Sequence, residues 1–140
     1  MEGCGDMKFR PLRDRILVKR LDEAYGRLHD ALKSLGLDRD TIVLFTSDHG
    51  DMIGSQGQQR KQRPWEESIR VPFLLRYPAL LGTDGRETDA LIDAPDIMPT
   101  LAELAGVQAP PDTDGISILP ELLGESAVGR KQKQHDFLYW

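Results

Sequence analysis

Thr41-Ile42-Val43-Leu44-Phe45-Thr46-Ser47-Asp48-His49-Gly50 joins an apolar run directly to a cluster of reactive side chains. The first six residues are unbroken β-formers with no apolar/polar alternation, which predicts a strand covered on both faces and, by preference, a parallel central one. Asp48, His49 and Gly50 then fall just past the strand's carboxyl end, the edge at which open α/β sheets gather ligands. Asp48 offers hard oxygens and His49 a ring nitrogen. Gly50 permits the sharp turn that two adjacent residues need if they are to converge on one ion. On the tripeptide alone the plainer reading is an Asp that caps a turn beside an ordinary loop histidine, because short motifs recur by chance.

Upstream, Val18, Leu21, Tyr25, Leu28, Leu32 and Leu35 recur at steps of three and four with charged residues between them, which predicts an amphipathic helix with a core-facing stripe. Gly36 follows the last of them and suits a left-handed helix stop, with Lys33 at the negative end of the dipole. Downstream, residues 47–63 are polar, rich in Gly and Gln and without period. A loop that long in a compact domain implies a task. A second strand is expected over Val71–Tyr77, ended by Pro78. A further helix is expected from Asp96, as its cap, through Ile97, Leu101 and Leu104 to Gly106. Residues 108–115 read as a turn-forming boundary, Ile118–Leu123 as a short helix and 125–134 as a charged linker. Phe137–Trp140 looks like the start of a strand.

The whole chain has 140 residues, 18 Lys+Arg and 23 Asp+Glu, hence a formal charge of −5. That balance argues against nonspecific nucleic-acid binding, and the length supports one domain or part of one. No apolar run reaches the ~18 residues of a membrane span, and the first residues have no signal-peptide pattern. One cysteine, Cys4, excludes a disulfide framework; flanked by glycines, it has no basic neighbour to activate it.

With the residues beyond the strand added, the pattern is far more specific than the tripeptide. Thr46-Ser47-Asp48-His49-Gly50-Asp51-Met52-Ile53-Gly54, then Lys61, then Glu67-Ser68-Ile69-Arg70-Val71-Pro72, followed by Asp96-Ile97-Met98-Pro99-Thr100-Leu101 and Asp114-Gly115-Ile116-Ser117, resembles the sulfatase family within the alkaline-phosphatase-like superfamily. The resemblance covers residues 18–123. It implies a partial sulfatase-like catalytic domain over 1–123, of layered α/β fold with a mostly parallel central sheet flanked by helices; residues 124–140 are left as charged linker and the start of a truncated strand. It further implies that Asp48 and His49 are ligands of a divalent cation, usually calcium, and that Lys61 holds the sulfate as catalytic and substrate-binding residue. An imidazole ligand would suit manganese or zinc at least as well as calcium.

Two departures qualify the resemblance. Gly54-Ser55-Gln56-Gly57 stands where many relatives have Gly-x-His-Gly, so no proton transfer by that histidine carries over. The formylglycine motif Cys/Ser-x-Pro-x-Arg, whose first residue becomes the family's nucleophile, is absent, as is the N-terminal pair of aspartate ligands. The expected partners are thus a sulfate ester and the N-terminal part of the catalytic domain that these residues lack, the chain being a fragment, a truncated product or one piece of a split protein, inactive alone. Rival readings are a phosphonate or phosphate ester hydrolase of the same superfamily, and a non-catalytic remnant serving as an interaction or structural module. Among the remaining candidates, Trp65, Glu66 and Glu67 read as pocket wall or as structural, with glutamates paired to Arg63 or Arg70. Arg60-Lys61-Gln62-Arg63 is a local basic cluster. His29 is expected at the solvent, and His135 has no assignable partner.

Overall fold

The 3,4-spaced apolar residues form α1, Arg15–Ser34, and Gly36 closes it in the left-handed conformation at φ 67. The N–H groups of Gly36 and Leu37 return to the carbonyls of Lys33 and Leu32 at 3.0 and 2.9 Å, satisfying two carbonyls the helix end would leave open. The computed structural model describes residues 15–133 and 135; Cys4 and Phe137–Trp140 lie outside them. Two units are distinguished. The first contains α1, the turn to residue 41 and residues 77–86, the last including α3, Pro78–Leu81. The Ala79 N–H donates to the Arg39 carbonyl at 3.0 Å, and the Thr41 hydroxyl to the Leu37 carbonyl at 2.7 Å. The expected burial of the α1 stripe is not found. Leu21, Leu28 and Leu35 are exposed, and Tyr25 is half-buried with its ring stacked on His29, which is itself half-buried.

The second unit holds the sheet and the remaining helices. Strand β1, Val43–Thr46, pairs with β2, Phe73–Arg76, in antiparallel register from Val43 opposite Arg76 to Thr46 opposite Phe73. The fold is α/β, but the expected parallel central sheet is not found among the described residues. A parallel return requires a crossover of a dozen or more residues, usually a helix. The connection here instead contains a 3-10 turn at Ser55–Gly57 and a single helical turn, α2, Glu66–Ile69. Both strands are half-buried throughout, so the apolar run of β1 is not enclosed on two faces.

The tightest packing lies further along. Helix α4, Ile97–Leu104, is preceded by a 3-10 turn, Ala94–Asp96, and followed by α5, Leu119–Leu123, and α6, Glu125–Val128. Thr100, Leu104, Ile118 and Leu119 are buried between them, and the Thr100 hydroxyl accepts the Ile118 N–H at 3.1 Å. Asp96 holds the N-cap position of α4, as expected, but its side chain makes no cap bond to that helix; the preceding 3-10 turn is capped by Asp93, whose carboxylate accepts the Ala94 N–H at 2.8 Å. Asp96 is itself fully buried. Its carboxylate accepts the N–H groups of Asp93 at 2.9 Å and Ile116 at 2.6 Å, and His135 Nε2 sits 2.8–2.9 Å from both oxygens. His135 thus has a partner that its surrounding sequence did not disclose. Nearby, Arg130 grips Glu103 through two hydrogen bonds of 2.8 and 2.6 Å, and the Ser117 hydroxyl donates to Glu103 at 2.5 Å.

Two outcomes follow for stability. Asp96→Ala strands two N–H groups and a histidine in a dry site and should cost about 3 kcal/mol in urea unfolding. The hydrogen bonds from Arg130, against the opposing effect of burial and with help from Ser117, hold the Glu103 carboxyl below its usual 4.5. A carboxyl depressed in the folded state contributes fully above its unfolded pKa and loses that contribution as pH falls through the folded one. Relative to Glu103→Gln, the protein should therefore be more stable at neutral pH, and the difference between their urea midpoints should close progressively below pH 4.5.

Candidate functional site

Gly50 decides how the loop after β1 folds. Its N–H donates to the Ser68 carbonyl at 2.8 Å, and a Cβ at this position would lie 2.0 Å from the Glu67 carbonyl oxygen. Only a residue without a side chain lets the strand end approach the α2 backbone so closely. Between these points the chain closes on itself twice more: the N–H of buried Met52 donates to the Arg60 carbonyl at 3.0 Å, and the N–H of Gly54 to the Gln58 carbonyl at 2.9 Å. The Arg63 N–H then donates to the Oγ of buried Ser68 at 3.2 Å.

These closures bring together the three residues singled out from sequence. Lys61 Nζ lies 2.8 Å from His49 Nε2, and Asp48 Oδ2 lies 3.3 Å from the same nitrogen. His49 Nδ1 is 2.8 Å from the Gly50 carbonyl. A carbonyl can only accept, so Nδ1 carries a proton; in the neutral ring Nε2 accepts from the Lys61 ammonium, and in the protonated ring it donates toward Asp48. The Asp48 carboxylate is open to solvent at 82% exposure. Desolvation, the largest single influence, opposes its ionisation. The charge of a protonated His49, the N–H groups of His49 and of Asp48, and the Ser47 hydroxyl outweigh it and hold the carboxyl below its usual range.

Asp48 and His49 thus set a carboxylate oxygen and a ring nitrogen 3.3 Å apart. No group of three or more His, Cys, Asp or Glu side chains able to hold a metal ion occurs among the described residues. Gln56 stands in the 3-10 turn at φ 54 and Trp65 is exposed at the N-terminal end of α2. Glu66 pairs with Arg70 at 3.0 Å on the surface, one of the two pairings considered from sequence. What sequence reasoning missed is the backbone: Ile53, Gln56, Arg60 and Gln62 all have positive φ, at 44, 54, 67 and 64. Composition carries no signal for this, since none of the four is a residue that favours that region.

The chain has relatives among known proteins. Residues 15–107 match the family described as Sulfatase, and the chain belongs to the sulfatase family. An endo-4-O-sulfatase from Bacteroides thetaiotaomicron is 41% identical over 113 residues, covering 79% of this chain and 22% of that protein. An arylsulfatase from Clostridium perfringens is 40% identical, covering 72% of this chain and 21% of its own length. Among solved structures, the phosphonate monoester hydrolase of Agrobacterium radiobacter superposes with a TM-score of 0.72 at 32% identity, over 85% of this chain and 23% of that one. The chain thus spans about a fifth of the length of these relatives.

Gly50→Ala should be among the most damaging single substitutions in the loop. Its methyl group cannot coexist with the Glu67 carbonyl, so the Gly50–Ser68 bond must break. We expect a loss of about 3 kcal/mol in denaturant unfolding, together with separation of the His49 and Lys61 side chains, visible as a changed His49 ring resonance in NMR.

Proposed function

We propose that this chain supplies the cation-side and sulfate-binding wall of a sulfatase catalytic site, for hydrolysis of a sulfate ester. The observation that carries this is the convergence of Asp48 Oδ2 and Lys61 Nζ on His49 Nε2, at 3.3 and 2.8 Å. Asp48 and His49 would hold a divalent cation, calcium by family usage, with manganese or zinc suited to the imidazole. When bound, such an ion withdraws negative charge from the ester oxygens as the sulfur–oxygen bond breaks. Lys61 binds the sulfate itself, neutralising oxyanion charge without moving a proton. The Nε2 lone pair, 2.8 Å from Lys61, would serve either the lysine or a cation, and in the second case the lysine's donors would be free for the ester. The Nδ1–H bond to Gly50 holds the ring in the tautomer that this requires.

No residue in these 140 fits the formylglycine nucleophile, and no step is assigned to one here. These residues alone are accordingly inactive toward sulfate esters, and their partner in catalysis is the remaining part of a sulfatase catalytic domain. The same reading places further strands, in mostly parallel order, along β1.

A second reading, a phosphonate or phosphate ester hydrolase, draws support from the likeness to the Agrobacterium enzyme and from the nitrogen donor at His49. Calorimetric titration separates the two and tests both. With sulfatase chemistry, the protein binds calcium, Asp48→Ala and His49→Ala each weaken that binding by about tenfold or more, and Lys61→Ala weakens inorganic sulfate. A preference for manganese or zinc with phosphate over sulfate supports the second reading. Should Asp48→Ala lower stability and leave metal affinity unchanged, the chain is a structural or interaction module instead.

A further inference from the structure

Resting on the reading of Lys61 as the sulfate-binding residue, we propose that Arg60 and Arg63 form a second anion-binding position beside it, so that the preferred substrate carries another anionic group next to the scissile sulfate. Three cations stand within four consecutive residues, Arg60 to Arg63, of a chain whose net charge is −5. Such a concentration of one sign of charge raises the local concentration of anions.

The three are not equivalent. Lys61 is engaged with His49 at 2.8 Å, whereas the Arg60 and Arg63 guanidinium groups are exposed and form no ion pair or hydrogen bond among the described residues. The neighbouring Glu66 is already taken by Arg70. The arginines are nonetheless carried on fixed backbone. The Arg60 carbonyl is tied to the N–H of buried Met52 and the Arg63 N–H to the hydroxyl of buried Ser68.

The left-handed conformations of Arg60 and Gln62, φ 67 and 64, lie on either side of Lys61. Two left-handed residues in a stretch of three cost energy where neither is glycine and persist where the surrounding structure over-determines them. Between them Lys61 lies 2.8 Å from His49, with one arginine adjacent in sequence at 60 and another two residues on at 63. An unpaired guanidinium is a planar fork for sulfate or carboxylate oxygens. A singly charged ester engages Lys61 alone. A sugar bearing a second sulfate or a carboxylate close to the first engages the arginines as well.

The test is calorimetric titration of the protein with a monosulfated disaccharide and with its disulfated counterpart. The wild type should bind the disulfated sugar about tenfold more tightly, an advantage that shrinks with added salt. In the Arg60→Gln/Arg63→Gln double variant the two sugars should bind alike, at the wild-type affinity for the monosulfated one. Arg60→Gly removes one charge while relieving the left-handed backbone, so it should stay folded and lose part of the preference. Retention of the full preference in the double variant, or its absence in the wild type, overturns the proposal. Lys61→Ala separates the underlying reading: it should weaken both sugars. If it changes neither while the arginine variants still lose the preference, the assignment of Lys61 fails and the arginine site stands. If the wild type binds neither sugar, both fail.

Discussion

The approach of Gly50 to the backbone of Glu67 and Ser68 is the contact on which the candidate site depends. It clamps the end of β1 to α2 and so fixes the two ends of a loop that would otherwise be free to separate. Within that clamp, the Met52–Arg60 bond shortens the remaining path, and Lys61, twelve residues along from His49, is returned to its ring. A side chain at residue 50 would remove the clamp, and with it the reason for a carboxylate, an imidazole and an ammonium to share a few ångströms of space. A protein can hold three such groups together in water only where covalent geometry leaves them little freedom to part.

Sequence showed the chemistry of this site more clearly than its architecture. Asp48, His49 and Lys61 were identifiable through the resemblance to the sulfatase family, since Asp-His-Gly alone is too short a motif, and their side chains lie together in the structure. The strand itself was less legible. The β-branched run 41–46 has the composition of a buried parallel strand, but orientation is set by the connection. A loop with one helical turn delivers β2 in the opposite direction. Likewise the period of α1 announced an apolar stripe correctly yet could not announce its burial, because periodicity describes one helix and burial depends on what lies against it. The helix ends at Gly36 and Gly106 were readable from local torsional preference, and both residues have positive φ.

The partnership of Asp96 with His135 illustrates a further limit. The two are 39 positions apart and sit in segments that look like an N-cap and a linker. Neither segment has a pattern that requires the other. The reason becomes visible only when the carboxylate is found fully buried with two N–H donors already in place. A dry carboxylate at that point demands a further donor, and an imidazole can supply one while adding apolar surface of its own. Together with the Glu103–Arg130 pair, this contact ties the residues after α6 to the two ends of α4.

The four left-handed, non-glycine residues between Ile53 and Gln62 give the loop an energetic character of its own. Each is held in a torsional basin that an isolated peptide would leave, so relaxation of the segment is favourable in itself and is resisted only by a few hydrogen bonds across it. Sub-global opening of this part of the chain therefore requires less energy than opening of the packed helices around Thr100 and Ile118. Its amide protons should be the first in the second unit to exchange with solvent, and occupation of the site by ions would slow them selectively.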